Sequence, residues 1–289
     1  MTDAARAPLL SRLPWTKIKL GIASTAYHLA RPFLGNRPRI IVRGGIRYRI
    51  DLSEAIDFAL FLAGNFQGYI THSGRLALPA DGILFDVGAN IGSTAMGLAR
   101  QVPQGRVYAF EPTHSAFGRL KDNLALNPEL SGRVTPIQVF LSDRTAGEPG
   151  LVAYSSWKLD GSRKDRHPLH GGSLEGTSGI SSVTLDEFCR DRGVVRMDLL
   201  KIDTDGHELA VLRGARETLG RLRPPIIFEV GLYILKERGV RIEEYFDLLD
   251  PMGYRWTNMK TGHPVTRETA RSEIPLRSTT DILALPPGR

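Results

Sequence analysis

Two short stretches bring together residue types that can do chemistry. The first is Asp86-Val87-Gly88-Ala89-Asn90-Ile91-Gly92. It follows the apolar run Ile83–Phe85 and opens a helical pattern, a strand–turn–helix signature. Two glycines bracket the turn, so the backbone there can approach a ligand closely. The second stretch, Leu200-Lys201-Ile202-Asp203-Thr204-Asp205-Gly206-His207-Glu208-Leu209, also joins an apolar strand to a helix. Carboxylates beside an imidazole at such a turn can orient a hydroxyl and take its proton. Asp205 suits a helix N-cap. His207 falls in the first helical turn, where the helix dipole disfavours a charged ring and leaves it fit to act as a general base. Asp203 then orients His207 or binds an acceptor hydroxyl directly, and Glu208 reads as a capping residue.

These residues need a scaffold. Strand-like and helix-like segments alternate between residues 83 and 230, which predicts a Rossmann-like α/β fold: a mostly parallel sheet with helices on both faces. The spacing predicts strands over 83–87, 106–110, 134–141, 197–203 and 225–230, and closing strands over 254–258 and 281–285. Helices are expected over 93–101, 115–127, 185–191, 207–219 and 242–249. In such sheets ligands bind beyond the carboxyl ends of the strands. Glu111 ends the second strand, 19 residues after Gly92, where a carboxylate can accept from both hydroxyls of a ribose. Asp143 ends the third and can accept from the exocyclic amine of adenine. With Asp86 they outline an adenosine-shaped site, and Gly88, Asn90 and Gly92 form its loop. The G-x-x-x-G spacing lacks the middle glycine of a pyrophosphate fingerprint. It suits a ligand without a diphosphate, such as S-adenosylmethionine (SAM), although Glu111 alone would serve NAD as well. Glu229, ending the fifth strand, faces the same edge and can hold an acceptor hydroxyl. Carboxylates on Asp203, Asp205 and Glu229 suit Mg²⁺, but the expectation is a metal-free site.

Together the motifs resemble the FkbM family of class I SAM-dependent methyltransferases. The matching pieces are Phe85-Asp86-Val87-Gly88-Ala89-Asn90-Ile91-Gly92, Phe110-Glu111-Pro112, Thr184-Leu185-Asp186-Glu187-Phe188, and Leu200 through Glu208 with Leu212-Arg213-Gly214-Ala215. The resemblance spans roughly residues 40 to 286. It implies a seven-stranded sheet with one reversed strand and SAM over the first two strand ends. It also implies methyl transfer to a hydroxyl oxygen of a sugar, glycan or polyketide-type small molecule. The family usually has Glu where this chain has Asp205, which weakens any substrate role for that carboxylate.

Upstream of this domain (83–289), residues 1–38 form a basic, amphipathic extension. Residues 39–82 form a cover segment, with a hairpin around Gly44-Gly45 and a helix over 53–64. Residues 144–181 are polar and glycine-rich and read as a long insert loop carrying Trp157, His167 and His170. The lone Cys189 lies in an apolar run and reads as a core thiol, which excludes an intrachain disulfide and fits a cytoplasmic protein. The net charge of +7 admits nucleic acid or a membrane as partner. However, 30 of the 38 basic residues are Arg spread along the chain, the pattern of a solvated surface. RNA methylation is disfavoured: no Asn-Pro-Pro-Tyr-like motif follows the fourth strand, and no second cysteine is present. A non-catalytic SAM-binding module is disfavoured by the intact second motif. Residues 9–34 read either as a helix packed on the domain or as a peripheral contact with the inner face of a membrane. A homodimer is compatible with the sequence.

Overall fold

Leu84 is buried toward one layer of helices and Phe85 toward the other, as expected for a strand in the middle of a parallel sheet. The computed structural model describes residues 16–35, 37–64, 67–146, 152–160 and 172–288. Helix α1 (Thr16–Leu34) leads to strands β1 (Arg39–Arg43) and β2 (Ile46–Ile50), then α2 (Ala55–Ala63) and α3 (Gly68–Thr71). Next come β3 (Ile83–Val87), α4 (Ser93–Gln101), β4 (Arg106–Phe110), α5 (His114–Ala125), α6 (Pro128–Ser131) and β5 (Val134–Ile137). The short strands β6 (Phe140–Leu141), β7 (Val152–Ser156), β8 (Ser173–Gly176) and β9 (Ser182–Val183) precede α7 (Leu185–Asp191). The chain continues through β10 (Leu199–Ile202), α8 (Glu208–Arg213), α9 (Arg216–Leu222), β11 (Ile226–Val230), α10 (Leu232–Glu237) and α11 (Ile242–Leu249). It closes with β12 (Arg255–Asn258), β13 (Pro264–Val265), α12 (Ala270–Glu273) and β14 (Thr280–Leu285).

The central sheet has the order β13-β12-β14-β11-β10-β3-β4-β5. Strands β5, β4, β3, β10 and β11 run parallel, and β14 inserts antiparallel between β11 and β12. This is the Rossmann-like α/β class expected from the sequence. It has eight strands rather than seven, because the two-residue β13 adds itself antiparallel to β12. Strand order reverses between β3 and β10, and the crevice beyond their carboxyl ends is where this topology binds ligands.

Three local expectations are corrected. The third strand does not run to residue 141: β5 stops at Ile137, and β6 pairs instead with β9. The switch is possible because β5 is an edge strand, where Pro136 is also tolerated despite lacking an N–H. The helix expected over 207–219 is two helices. The break falls at Gly214, where a Cβ would lie 2.0 Å from the Ser142 carbonyl oxygen, so the chain must bend past the end of β6. The insert is not structureless, since β7 and β8 form an antiparallel pair. His167 and His170 lie outside the described residues.

The cover segment is tied down on two sides. Asn123 of α5 and Asn127 just beyond it accept from the Arg49 and Arg47 N–H groups of β2, each at 2.8 Å. Arg119 pairs with the buried Asp57 of α2, whose pKa burial pushes up to about 6. Beyond β7, Lys158 bridges Asp51 and Glu54 at 2.8 and 3.2 Å, and the backbone N–H of the half-buried Trp157 donates to Glu54 Oε2 at 3.0 Å. Cys189 is buried as expected, and burial pushes its thiol up to about 11.

Candidate functional site

The loop after β3 is shaped by its two glycines and by Asn90. Gly88 has φ +81°, and a Cβ there would sit 1.8 Å from the Asp203 carbonyl oxygen. Only glycine lets the ends of β3 and β10 close on each other. The Gly88 and Ala89 N–H groups both donate to the Phe110 carbonyl at 2.9 Å, which staples the loop to β4. Asn90 is left-handed (φ +48°), and its N–H donates to Glu111 Oε2 at 3.0 Å. Gly92, also left-handed, caps α4. Glu111 is buried, and its Oε1 accepts from the Thr113 N–H at 3.0 Å and the Thr113 hydroxyl at 2.6 Å. A carboxylate has about four acceptor positions, so Glu111 retains capacity for about one more donor. Burial raises its pKa above the ordinary value.

At the floor of the crevice is Lys201, a motif residue to which the sequence alone assigns no role. Among the described residues it is the one buried cation. Its Nζ lies 2.9 Å from Asp86 Oδ1 and 3.6 Å from Asp203 Oδ2, and donates to the Gly88 carbonyl at 3.5 Å. Burial works against the ammonium, but Asp86 and Asp203 outweigh it and raise the Lys201 pKa above the usual lysine value. Asp86 therefore serves this ion pair from within the sheet.

Above Lys201 the site is rich in acids. Glu229 and Asp281 are cross-strand partners on β11 and β14. Glu229 accepts from the Thr279 hydroxyl at 2.6 Å, and Asp281 accepts from the Tyr69 hydroxyl. Burial, then the neighbouring Asp203, drives the carboxyls of Asp205 and Glu229 well above the ordinary range. Burial likewise raises Asp281. Gln67, also missed by the motif reading, spans the crevice: its Nε2 donates to Asp203 at 2.6 Å and its Oε1 accepts from Thr94 of α4 at 2.9 Å. Gln67, Asn90 and Asp205 are non-glycine residues with positive φ (53°, 48° and 51°). All three border this crevice, and strained backbone of this kind concentrates at functional sites.

Asp205 is not the N-cap that the sequence suggested. Its left-handed backbone lies two residues before the cap, and His207 occupies the cap position of α8. Glu208 stabilises the turn instead, accepting from Thr204 N–H at 2.7 Å and Gly206 N–H at 3.0 Å. The His207 ring stands edge-on to Phe140 of β6, with centroids 5.1 Å apart. Asp203 faces Gln67 and Lys201, so the two motif residues meet different partners. Asp143 is exposed beyond β6 and accepts from the Ser142 hydroxyl at 3.3 Å; it does not end a strand of the main sheet. The structure thus gathers Asp86, Gly88, Asn90, Gly92, Glu111, Asp203 and Glu229 around one crevice, with His207 and Asp143 toward its β6 side. Among the described residues, no group of three or more His, Cys, Asp or Glu side chains is placed to hold a metal ion. Gln67 carried no sequence signal, because only folding brings residue 67 to residue 203.

A family model described as the methyltransferase FkbM domain matches residues 86–256. Methyltransferase sdnD of Sordaria araneosa is 31% identical over 175 residues, covering 53% of this chain and 67% of that protein. Hexuronic acid methyltransferase AglP of Haloferax volcanii is 32% identical over 142 residues, covering 48% of this chain and 52% of that protein. The 2-O-methyltransferase NoeI of Sinorhizobium fredii is 28% identical over 152 residues, covering 50% of this chain and 61% of that protein. The chain thus spans about half to two thirds of the length of these relatives.

Proposed function

Because the chain belongs to the FkbM methyltransferase family, we propose that it uses SAM to methylate a hydroxyl oxygen of a sugar, glycan or polyketide-type small molecule. Membership supports methyl transfer; the activity, the cofactor, the acceptor and the residue roles are the proposal. The observation that carries it is the charge of the crevice. Asp203, Asp205, Glu229 and Asp281 crowd one another, and the nearby Lys201 is paired with Asp86. Burial pushes the carboxyls of Asp205, Glu229 and Asp281 toward the neutral form, and a cationic ligand favours their ionisation; SAM brings a sulfonium and an ammonium against a single carboxylate. A diphosphate would bring only negative charge and oppose that ionisation. SAM supplies an activated methyl group.

The residues divide the remaining work. Glu111 has acceptor capacity left for a ribose hydroxyl, and the stapled loop Gly88–Gly92 provides a close backbone approach beside it. Asp143 is assigned to the adenine amine. Asp203, held by Gln67, receives the acceptor hydroxyl, and Glu229 borders the same space. His207 takes the proton, a contribution of about 10²–10⁴-fold for a general base. Alignment of the acceptor oxygen supplies the larger share, up to roughly 7–11 kcal/mol. The names of AglP and NoeI, a hexuronic acid methyltransferase and a 2-O-methyltransferase, support a hydroxyl-bearing acceptor.

The test is a transfer assay with methyl-labelled SAM on host-cell extract, fractionated into glycolipid, polysaccharide, small-molecule, RNA and protein pools. Label in a glycan or small-molecule pool is expected. Label confined to RNA or protein would overturn the acceptor class, and absence of SAM binding by calorimetry would overturn the cofactor.

A further inference from the structure

The positive charge of this protein is not spread evenly, despite arginines along its whole length. Residues 1–50 hold ten Lys and Arg against the single acid Asp3, a net +9. The whole chain is +7, so residues 51–289 together carry −2. The basic surplus belongs entirely to the segment containing α1 and the β1–β2 hairpin.

The same segment exposes apolar side chains in order. Helix α1 turns Tyr27 inward, where it meets Phe58 of α2 at 6.1 Å between ring centroids. Its opposite stripe, Ile22, Leu29 and Phe33, follows the spacing of one helical face and is exposed, with Leu29 71% and Phe33 88% accessible. A short connection after α1 leads into β1, whose outward residues Ile40 and Val42 are 58% and 57% accessible. Their cross-strand partners are Arg49 and Arg47, both exposed, with Arg49 in a solvent-exposed pair with Asp122 of α5 at 3.6 Å. The outer face of the hairpin therefore sets two aliphatic side chains directly beside two guanidinium groups. At the carboxyl end of α1, Arg31 and His28 line an open basin of about 500 Å³ with Pro32 and Gly35.

We propose that this face, α1 with the β1–β2 hairpin, docks on the surface of an anionic lipid bilayer. Aliphatic side chains interleaved with arginines match the acyl–headgroup boundary, where apolar groups enter and cations meet lipid phosphates. The basin at Arg31 is open to a phosphate headgroup. A second copy of the chain is a poor occupant, because the interface would set like charge against like charge. Nucleic acid is a poor one too, because Phe33 is the one aromatic among the five exposed apolar side chains of this face, and Ile22, Leu29, Ile40 and Val42 offer bases no stacking surface. Among the described residues no helix is long and apolar enough to cross a membrane, and the proposed contact is a peripheral one. It is independent of the methyl-transfer reading.

Vesicle co-sedimentation of the full chain tests this. Phosphatidylcholine vesicles containing roughly a third phosphatidylglycerol should bind the protein, and pure phosphatidylcholine should bind it far less, because basic residues near the surface are drawn to anionic lipid. Added salt should weaken binding, since it screens the attraction. Leu29→Asp/Phe33→Asp and Ile40→Asp/Val42→Asp change exposed residues only. Each should lower partitioning by about tenfold or more, with thermal melting and SAM affinity unchanged. Equal binding to neutral vesicles, binding undiminished in both variants, or RNA competing the protein off anionic vesicles while binding both variants normally would each overturn the proposal.

Discussion

Replacing Lys201 with methionine should destabilise this protein more than any surface change, because it strands a buried carboxylate. The Lys201 ammonium is buried 2.9 Å from Asp86 Oδ1 and 3.6 Å from Asp203 Oδ2. At an effective dielectric of about 20, unit charges at those separations attract by roughly 6 and 5 kcal/mol. Desolvation of the charged groups offsets much of that. Removing one partner leaves an uncompensated buried carboxylate, which costs about 3–5 kcal/mol. For a chain of this size that corresponds to a drop in Tm of roughly 6–20 °C. The loss should also depend on pH. Burial already holds the folded-state Asp86 pKa above its unfolded value of about 3.9, and without the ammonium it rises further. A carboxyl shifted in that direction favours the fold while protonated and loses the contribution as pH rises through the folded pKa. The deficit of Lys201→Met should therefore grow from acid to neutral pH. Asp86→Asn/Lys201→Met removes both charges and should recover much of the loss, because the two sites are coupled. Thermal melts of wild type, both single variants and the double variant across pH 5–8 would measure this. If Lys201→Met melts within about 2 °C of wild type, or if the double variant is no better than Lys201→Met, the ion-pair account of the crevice floor is wrong.

Three further outcomes follow from the same geometry. Gly88→Ala combines a left-handed position, about 1–2 kcal/mol for an L-residue, with a Cβ 1.8 Å from a backbone oxygen. It should reduce folded yield and Tm sharply, whereas Gly118→Ala, in a helix with open space around it, should stabilise by about 0.5–1 kcal/mol; similar melts for the two would refute the close-approach argument. His207→Ala should lower turnover by about 10²–10⁴-fold with SAM affinity intact; if it stays active while Asp203→Asn does not, Asp203 is the base. Burial raises the pKa values of Asp205, Glu229 and Asp281, so the ligand-free fold should lose stability as pH climbs through those raised values. A cation in the crevice favours the ionised carboxyls, so SAM binding should release protons and tighten with rising pH. Calorimetry in buffers of different ionisation enthalpy would detect this, and a pH-independent affinity would count against the acidic-crevice reading.

Most of the frame was legible in the sequence, because periodicity and turn chemistry are local properties. The β3 and β4 strands, the Gly88–Gly92 loop, Glu111 and the Leu200–Glu208 motif could be read from apolar runs and the turn residues that end them. The misses share a cause. The break at Gly214 exists because the chain runs against Ser142, and β5 gives way to β6 because β9 offers the next partner. Asp205 has the residue type of a cap, yet its backbone is left-handed and His207 holds that position. Lys201 looked like one more polar residue in an acidic motif until β3 brought Asp86 beside it. Gln67 meets Asp203 only because the cover segment folds over the sheet edge. The sequence alone determined the class of fold, the family and the acids at the ends of β3, β4, β10 and β11, since each is written in contiguous residues; the end assigned to Asp143 was not among them. Which carboxylates share a cation, which are held apart from water, and which side chain spans the crevice were decided only by tertiary structure, because charge coupling and burial depend on distances that chain separation does not encode.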